Sequence, residues 1–501
     1  DVAPGPAARV ENAPDWTEAT PLDAPAKSPD GATAVALAGR TNLAADDSPF
    51  VGREALLASL EERIAAGERL IVLHGPAGTG RTRVARQLAS RHLLELSKLG
   101  GVWYVSLLHA RSGPDVCRGI ARALSLRLSD DPAAADAQIA ASLAARKRLL
   151  VVLDDVDGVV GSLPGLVGGW IAAAEEAAFV VVGESADVLP EAATVPVTPM
   201  DDDDGARHVQ AIHARVHPGK TLDGGGAAAA AALLGGVPLA TELAVGTGLS
   251  PKDLGKELSG KLTRATDAEV LQRVLEWRWS RLNGWEKLCF AHASVFEGSF
   301  GTDAAAAVID LTAHAKAPPM DEILESLRTT GLLGVAGDGR WEFHPSVGSF
   351  ASTKLPASPR AKVSARRDAF VAALARELAP FAEARSGDAL QRLSDERVQL
   401  AACVGRALQD GKSVKDALVL LRALGPLFER DGLADEIIAW ADAALAAAEK
   451  ANIKDGAVAS LLRLRALFRK NRGDQKEALA ELEKAEEIAA SANDATLLAQ
   501  L

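Results

Sequence analysis

The sequence predicts a multidomain chain: an α/β domain on a parallel sheet, a run of helices, a small domain with a hairpin, and an all-α repeat array. Three observations predict it. Short apolar runs at Leu70–Leu73, Val102–Val105, Leu149–Leu153 and Phe179–Val182 alternate with helical patterns, the rhythm of buried parallel strands joined by crossover helices. Farther on, Gly337-Asp338-Gly339 separates Gly334-Val335-Ala336 from Arg340-Trp341-Glu342-Phe343, an Asp-Gly turn between two short strands. Finally, the stretch Gly432–Ala439 matches Gly473–Ala480 at an offset of 41 residues, and Ala444 and Ala485 hold the same phase. Small residues at a fixed period suit stacked helix pairs.

Composition narrows the function classes. The chain has 501 residues, 48% hydrophobic and 24% charged, enough for about three domains with full cores. Its net charge of -12 argues against broad nucleic-acid binding by this chain. Cys117, Cys289 and Cys403 form no CxxC pair, so neither a disulfide scaffold nor a zinc site is expected, and a reducing, cytoplasmic setting is. No run of 18 apolar residues exists, so no membrane span is expected. Asp1-Val2-Ala3-Pro4 lacks the features of a signal peptide. We expect a fragment of a longer protein, with an effector or input domain upstream and repeats continuing past Leu501.

Residues 1–44, rich in Ala, Pro and Asp, read as a disordered linker. The α/β domain is expected over 45–200. Its first strand runs into Gly75-Pro76-Ala77-Gly78-Thr79-Gly80-Arg81-Thr82 and then a helix carrying Val84, Ala85, Leu88 and Ala89. That is the setting of a Walker A phosphate loop, or P-loop. Glycines let the backbone curl around phosphate oxygens, and the helix N-terminus adds partial positive charge. Thr82 is placed to ligate Mg²⁺. Arg81 stands where the motif has lysine; its planar guanidinium keeps the charge but not the slim reach. The third strand ends in Asp154-Asp155, a Walker B pattern. Asp154 is the expected Mg²⁺ ligand and Asp155 the residue that polarises an attacking water.

Five short motifs in order extend this reading. They are Phe50-Val51-Gly52-Arg53-Glu54, the phosphate loop, Gly236-Val237-Pro238-Leu239-Ala240, Trp279-Ser280-Arg281-Leu282 with Val295–Phe300, and Phe343-His344-Pro345. With them the chain resembles the STAND class of signalling ATPases, which includes the NB-ARC (AP-ATPase) proteins, over residues of about 48–355. The resemblance implies a P-loop NTPase domain, a helical lid over 201–265, a winged-helix domain over 266–356, and TPR-like superhelical repeats over 357–501. It implies ATP or ADP with Mg²⁺ as cofactors. Val51 and Arg53 would contact the base, Gly75, Gly78, Thr79, Gly80, Arg81, Thr82 and Arg83 the phosphates, Pro238 would close over the nucleotide, and His344 would touch the β-phosphate of ADP.

Three positions depart from the family pattern. Arg81 replaces lysine, Gly183-Glu184-Ser185 replaces a segment that carries a sensor arginine, and Pro345 replaces an aspartate. These imply at most a slow ATPase. The functional expectation is a nucleotide-dependent switch. A protein or small-molecule ligand would bind the repeats, self-oligomerisation would accompany activation, and the output would pass to a domain outside the chain. The alternative is a non-hydrolysing interaction scaffold with a degenerate loop. The run Asp201–Asp204 reads as a solvated loop or helix start, and Trp277, Trp279, Trp285 and Trp341 as winged-helix core.

Overall fold

The computed structural model describes residues 41–43 and 50–499, apart from 127, 130, 263–264, 337–338, 411–412, 432–433 and 493. Most of the expected N-terminal linker and the two central residues of the Asp-Gly turn lie outside the described residues, as do Gly432 and Leu433 of the recurrence.

Five strands form one parallel sheet: β1 (Leu70–His74), β2 (Gly101–Ser106), β3 (Leu149–Asp154), β4 (Ala177–Gly183) and β5 (Ala193–Pro196). Their spatial order is β2-β3-β4-β1-β5. The four strands expected from the apolar runs are all present. β5, which was not expected, is a short edge strand ending in Pro196, and proline within a run argues against a strand. Thr41, at the end of the expected linker, bridges to Val102 of β2 in parallel. The Asn42 amide donates to the Tyr104 carbonyl at 2.6 Å, and its side-chain oxygen accepts from the Tyr104 N–H at 2.8 Å.

The strands alternate sides because successive side chains point to opposite faces. On β3, Leu149, Val151 and Leu153 pack with α3 (Gly113–Leu124), α4 (Pro132–Ala145) and α5 (Leu163–Ala173). Leu150 and Val152 pack on the other face with α1 (Glu54–Ala65) and α2 (Arg81–Leu96). Burial on both faces explains why these strands read as unbroken apolar runs. Since β4 stands between β1 and β3, the carboxyl ends of all three lie side by side. Ligands of open parallel sheets sit along that edge.

Nine helices and a hairpin follow. They are α6 (Asp202–Val216), α7 (Gly224–Leu233), α8 (Pro238–Val245), α9 (Pro251–Leu262), α10 (Asp267–Arg281), α11 (Gly284–Ala293), α12 (Thr302–Val308), α13 (Met320–Thr329), the strands β6 (Gly334–Val335) and β7 (Trp341–Glu342), and α14 (Pro345–Thr353). One continuous apolar cluster runs through them from Val209 to Val363. Trp277 is buried in it, and Trp279, Trp285 and Trp341 pack against it, as the sequence predicts. Phe300 adds a bridge to Trp341, widening the hairpin sheet by one partner that no periodicity announces. No single helix among the described residues is long and apolar enough to cross a membrane.

A 27-residue helix, α15 (Ala357–Glu383), leaves this cluster and enters a second one. There α16 (Gly387–Asp395), α17 (Arg397–Asp410), α18 (Val414–Asp431), α19 (Ala434–Lys450), α20 (Gly456–Arg472), α21 (Gln475–Ser491) and α22 (Ala495–Leu498) stack as helical repeats. α19 and α21 each have 17 residues and stand 41 residues apart. Ala444 and Ala485, in phase along the two helices, are both fully buried.

Candidate functional site

The loop 75–80 connects β1 to α2 at the carboxyl edge of the sheet. Gly75 has φ 150°, and a Cβ there would stand 2.5 Å from the Val197 carbonyl oxygen. Gly80, at φ 90°, precedes α2 and offers no side chain to its open N–H groups. The four leading N–H groups of a helix need partners from outside it, and no side chain caps this one. Such an end attracts anions.

Arg81 opens α2 with a side chain only 14% exposed. Its Nη2 lies 3.9 Å from Glu184 Oε1. Its Nη1 is buried and has no hydrogen-bond partner among the described residues. An orphaned buried donor costs about 1–3 kcal/mol, and a phosphate oxygen would satisfy it.

Thr82 directs its hydroxyl to Asp154 Oδ1 at 3.2 Å. The second Asp154 oxygen accepts from the Tyr104 hydroxyl at 2.6 Å, and the Asp155 N–H donates to Oδ1 at 3.0 Å. Burial raises the Asp154 pKa, while the Tyr104 and Thr82 hydrogen bonds oppose the rise. Asp155 is pushed up to about 6, by burial first and then by the Asp154 charge, with Arg81 pulling the other way. Its φ of 58° is uncommon for a residue with a side chain. Among the described residues no group of three or more His, Cys, Asp or Glu could hold a metal unaided. Mg²⁺ sites commonly take one or two protein groups and complete the shell with phosphate and water, and Thr82 with Asp154 has the oxygen donors such a pair needs.

On the other side of the loop lies a small pocket of about 30 Å³, lined among others by Val51, Arg53, Thr79, Gly80, Arg83 and Pro238. All six were expected to contact nucleotide. α8 meets the loop directly, since Leu239 N–H donates to the Gly78 carbonyl at 3.1 Å. The Gly236 before it approaches Met200 so closely that a Cβ would fall 2.2 Å from that carbonyl oxygen. Arg53 has a further task. Its guanidinium donates to the Thr79 and Thr198 carbonyls, both at 2.7 Å, clamping the loop to the strand β5 side.

His344 caps α14, and its Nδ1 accepts from the Ser346 N–H at 3.3 Å. That hydrogen bond selects the neutral ring with its proton on Nε2. The residue is exposed; the protein around it, and then the nearby Arg81 cation, lower its pKa. Arg81 and His344 are thus electrostatic neighbours although 263 residues separate them in sequence.

Four participants escaped the sequence reading. Asp204 is buried rather than solvated and accepts from the Arg53 N–H at 2.6 Å, while Asp201 caps α6 by accepting from the Asp204 N–H at 2.8 Å. Four consecutive aspartates give no sign of which one turns inward. Tyr104 sits on β2 facing Asp154; burial and that carboxylate raise its pKa. His208 and Glu242 line the pocket. Glu242 lies 3.6 Å from Arg83 and 3.9 Å from His208. Burial depresses the His208 pKa to about 4, against a hydrogen bond that its ring donates to the Pro238 carbonyl, so its contact with Glu242 is not an ion pair at neutral pH.

Residues 64–176 match the family model of an AAA domain. A Mycobacterium tuberculosis protein provisionally named an HTH-type transcriptional regulator is 27% identical over 420 residues, covering 80% of this chain and 46% of the relative. A second protein of that organism is 26% identical over 277 residues, covering 52% of this chain and 68% of its own. The chain therefore spans less than half the length of the first relative. Among solved structures, a STAND protein with a tetratricopeptide repeat sensor from Pyrococcus horikoshii aligns over 91% of this chain and 79% of its own, with a TM-score of 0.46 and 13% identity. A Walker-type ATPase of Pyrococcus abyssi aligns over 60% and 95%, with a TM-score of 0.31 and 13% identity. Residues 64–176 are thus similar to AAA domains, and the parallel α/β sheet with its phosphate loop is a P-loop NTPase domain.

Proposed function

We propose that the chain is the nucleotide-binding switch module of a STAND-type regulator. The observation that carries this reading is the buried, unpartnered Arg81 Nη1 at the head of an uncapped helix, with Thr82 and Asp154 already paired beside it. In this reading the loop 75–82 holds the phosphates of ATP or ADP. Val51, Arg53 and Pro238 hold the nucleoside end. Thr82 and Asp154 hold Mg²⁺, and Asp155 orients water. Bound ATP supplies a transferable phosphoryl group. The chain's own part is to position it, exclude solvent, and present His344 Nε2–H from α14 as a neutral donor. The division into a P-loop domain, helical lid, winged helix and TPR-like repeats belongs to the same proposal.

The output is an effector or DNA-binding domain outside this chain, and the repeats take the activating protein or small molecule. Self-oligomerisation follows activation, and the setting is cytoplasmic. Hydrolysis is slow. Arginine cannot copy the reach of lysine, and loss of one aimed donor commonly costs about 10²–10³ in rate. The competing reading, a scaffold without a nucleotide cycle, draws on the Arg81–Glu184 pairing, which fills the cation's environment without phosphate.

Thermal unfolding with ATP or ADP and Mg²⁺ separates the two. A ligand that binds only the folded state raises the melting temperature. The switch predicts a rise with millimolar nucleotide, and steady-state turnover well below about one per second. The scaffold predicts no rise with either nucleotide.

A further inference from the structure

Glu184 is the first residue after β4. Gly183 is in register with His74, which immediately precedes Gly75, so Glu184 emerges beside the phosphate loop. Its backbone is fixed: the N–H donates to Asp157 Oδ1 at 2.8 Å, and a Cβ at Gly183 would lie 3.1 Å from Val156. Only its side chain is free to swing, and it is 65% exposed. In this conformation it points at Arg81, with Oε1 3.9 Å from Nη2.

The polarity of the site gives this contact meaning. The pocket of Val51, Arg53 and Pro238 lies on one side of the loop. Glu184 and Asp155 lie on the other, at the ends of β4 and β3. A nucleotide with its nucleoside in the pocket and its phosphates along the loop runs its distal end toward these two carboxylates. A diphosphate stops at Arg81. A third phosphate must enter the space between Arg81 and Glu184. Like charges repel there, and the existing ion pair must open.

We propose that Glu184 is a specificity-determining residue: its carboxylate occupies the distal-phosphate side of Arg81 and makes the site prefer a nucleoside diphosphate over a triphosphate. This rests on the reading of residues 75–82 as a nucleotide site. Glu184 acts as a removable internal anion. Whatever swings it away from Arg81 raises triphosphate affinity without altering the pocket for the base.

The test is equilibrium binding of ADP and of a non-hydrolysable ATP analogue, with Mg²⁺, to the whole chain and to Glu184→Gln and Glu184→Ala. Both changes fall on an exposed side chain, so the fold is retained. The proposal predicts that each variant binds the ATP analogue about tenfold more tightly than the parent does. ADP affinity should change less than about twofold, and the gain should shrink at high salt. If both nucleotides bind and their affinity ratio is the same in parent and variants, Glu184 does not discriminate, and the inference fails while nucleotide binding stands. If ADP and the analogue gain equally, the effect is general charge relief, and the inference fails again. If neither binds the parent, the underlying nucleotide reading fails, and the inference with it.

Discussion

Asp154 sits where water does not reach and accepts three hydrogen bonds, from the Tyr104 hydroxyl, the Thr82 hydroxyl and the Asp155 N–H. A buried carboxylate is tolerated only when its oxygens are satisfied. Tyr104→Phe removes one donor and leaves a buried oxygen short of a partner, so it should lower stability by about 1–3 kcal/mol. Denaturant unfolding measures this, and an unchanged midpoint would show that the 2.6 Å contact does not hold the carboxylate. His208 gives a pH signature. Its pKa falls from an ordinary 6.5 to about 4 on burial, so the folded state binds fewer protons than the unfolded state between those values. Stability is complete above pH about 6.5 and falls as the pH drops toward 4, by up to about 3 kcal/mol from this residue. His208→Gln should flatten that part of the stability–pH curve; equal slopes in parent and variant would remove His208 from the account. At this scale the phosphate-loop residues and Asp154 were legible because their motifs are local. Asp204, His208, Glu242 and Tyr104 were not, since each acquires its role from a partner at least 30 residues away in sequence.

The hairpin and the first repeats are joined by a buried ion pair. Arg340, just before β7, donates to Glu396 Oε1 at 2.9 Å, and the two side chains are 7% and 1% exposed. Arg392 of α16 supports the same carboxylate at 3.5 Å, and Gln399 of α17 donates to the Glu297 carbonyl at 2.8 Å. Removing one partner of a buried pair strands the other charge, whereas replacing both by apolar groups is often neutral. Arg340→Ala should cost about 3 kcal/mol. The double change Arg340→Met with Glu396→Met should recover most of it in urea unfolding. Equal losses in the single and double variants would mean that packing, not charge, holds this joint. The sequence announced the hairpin and the helix pairs through turn chemistry and a 41-residue recurrence. It was silent on β5, a four-residue edge strand ending in proline, and on the joint between hairpin and array. Pairings between distant segments leave no periodic mark.

Across the whole molecule, the α/β sheet and the helical repeats were foreseen from strand–helix alternation and small-residue phase. The single apolar cluster from Val209 to Val363 was not. It makes α6–α14 one packed body, and that body touches the phosphate loop at Leu239 and Gly78 and brings His344 near Arg81. The loop, the pocket and the second body therefore form one composite site. The most direct measurement is a calorimetric titration of the chain with ADP and Mg²⁺, repeated on Thr82→Ala and Arg81→Ala. The account predicts saturable binding at a single site, weakened at least about tenfold by each substitution through loss of a charge-assisted or metal-held contact. Absence of binding heat and of any competing displacement at millimolar ADP, or equal affinity in all three proteins, would contradict it.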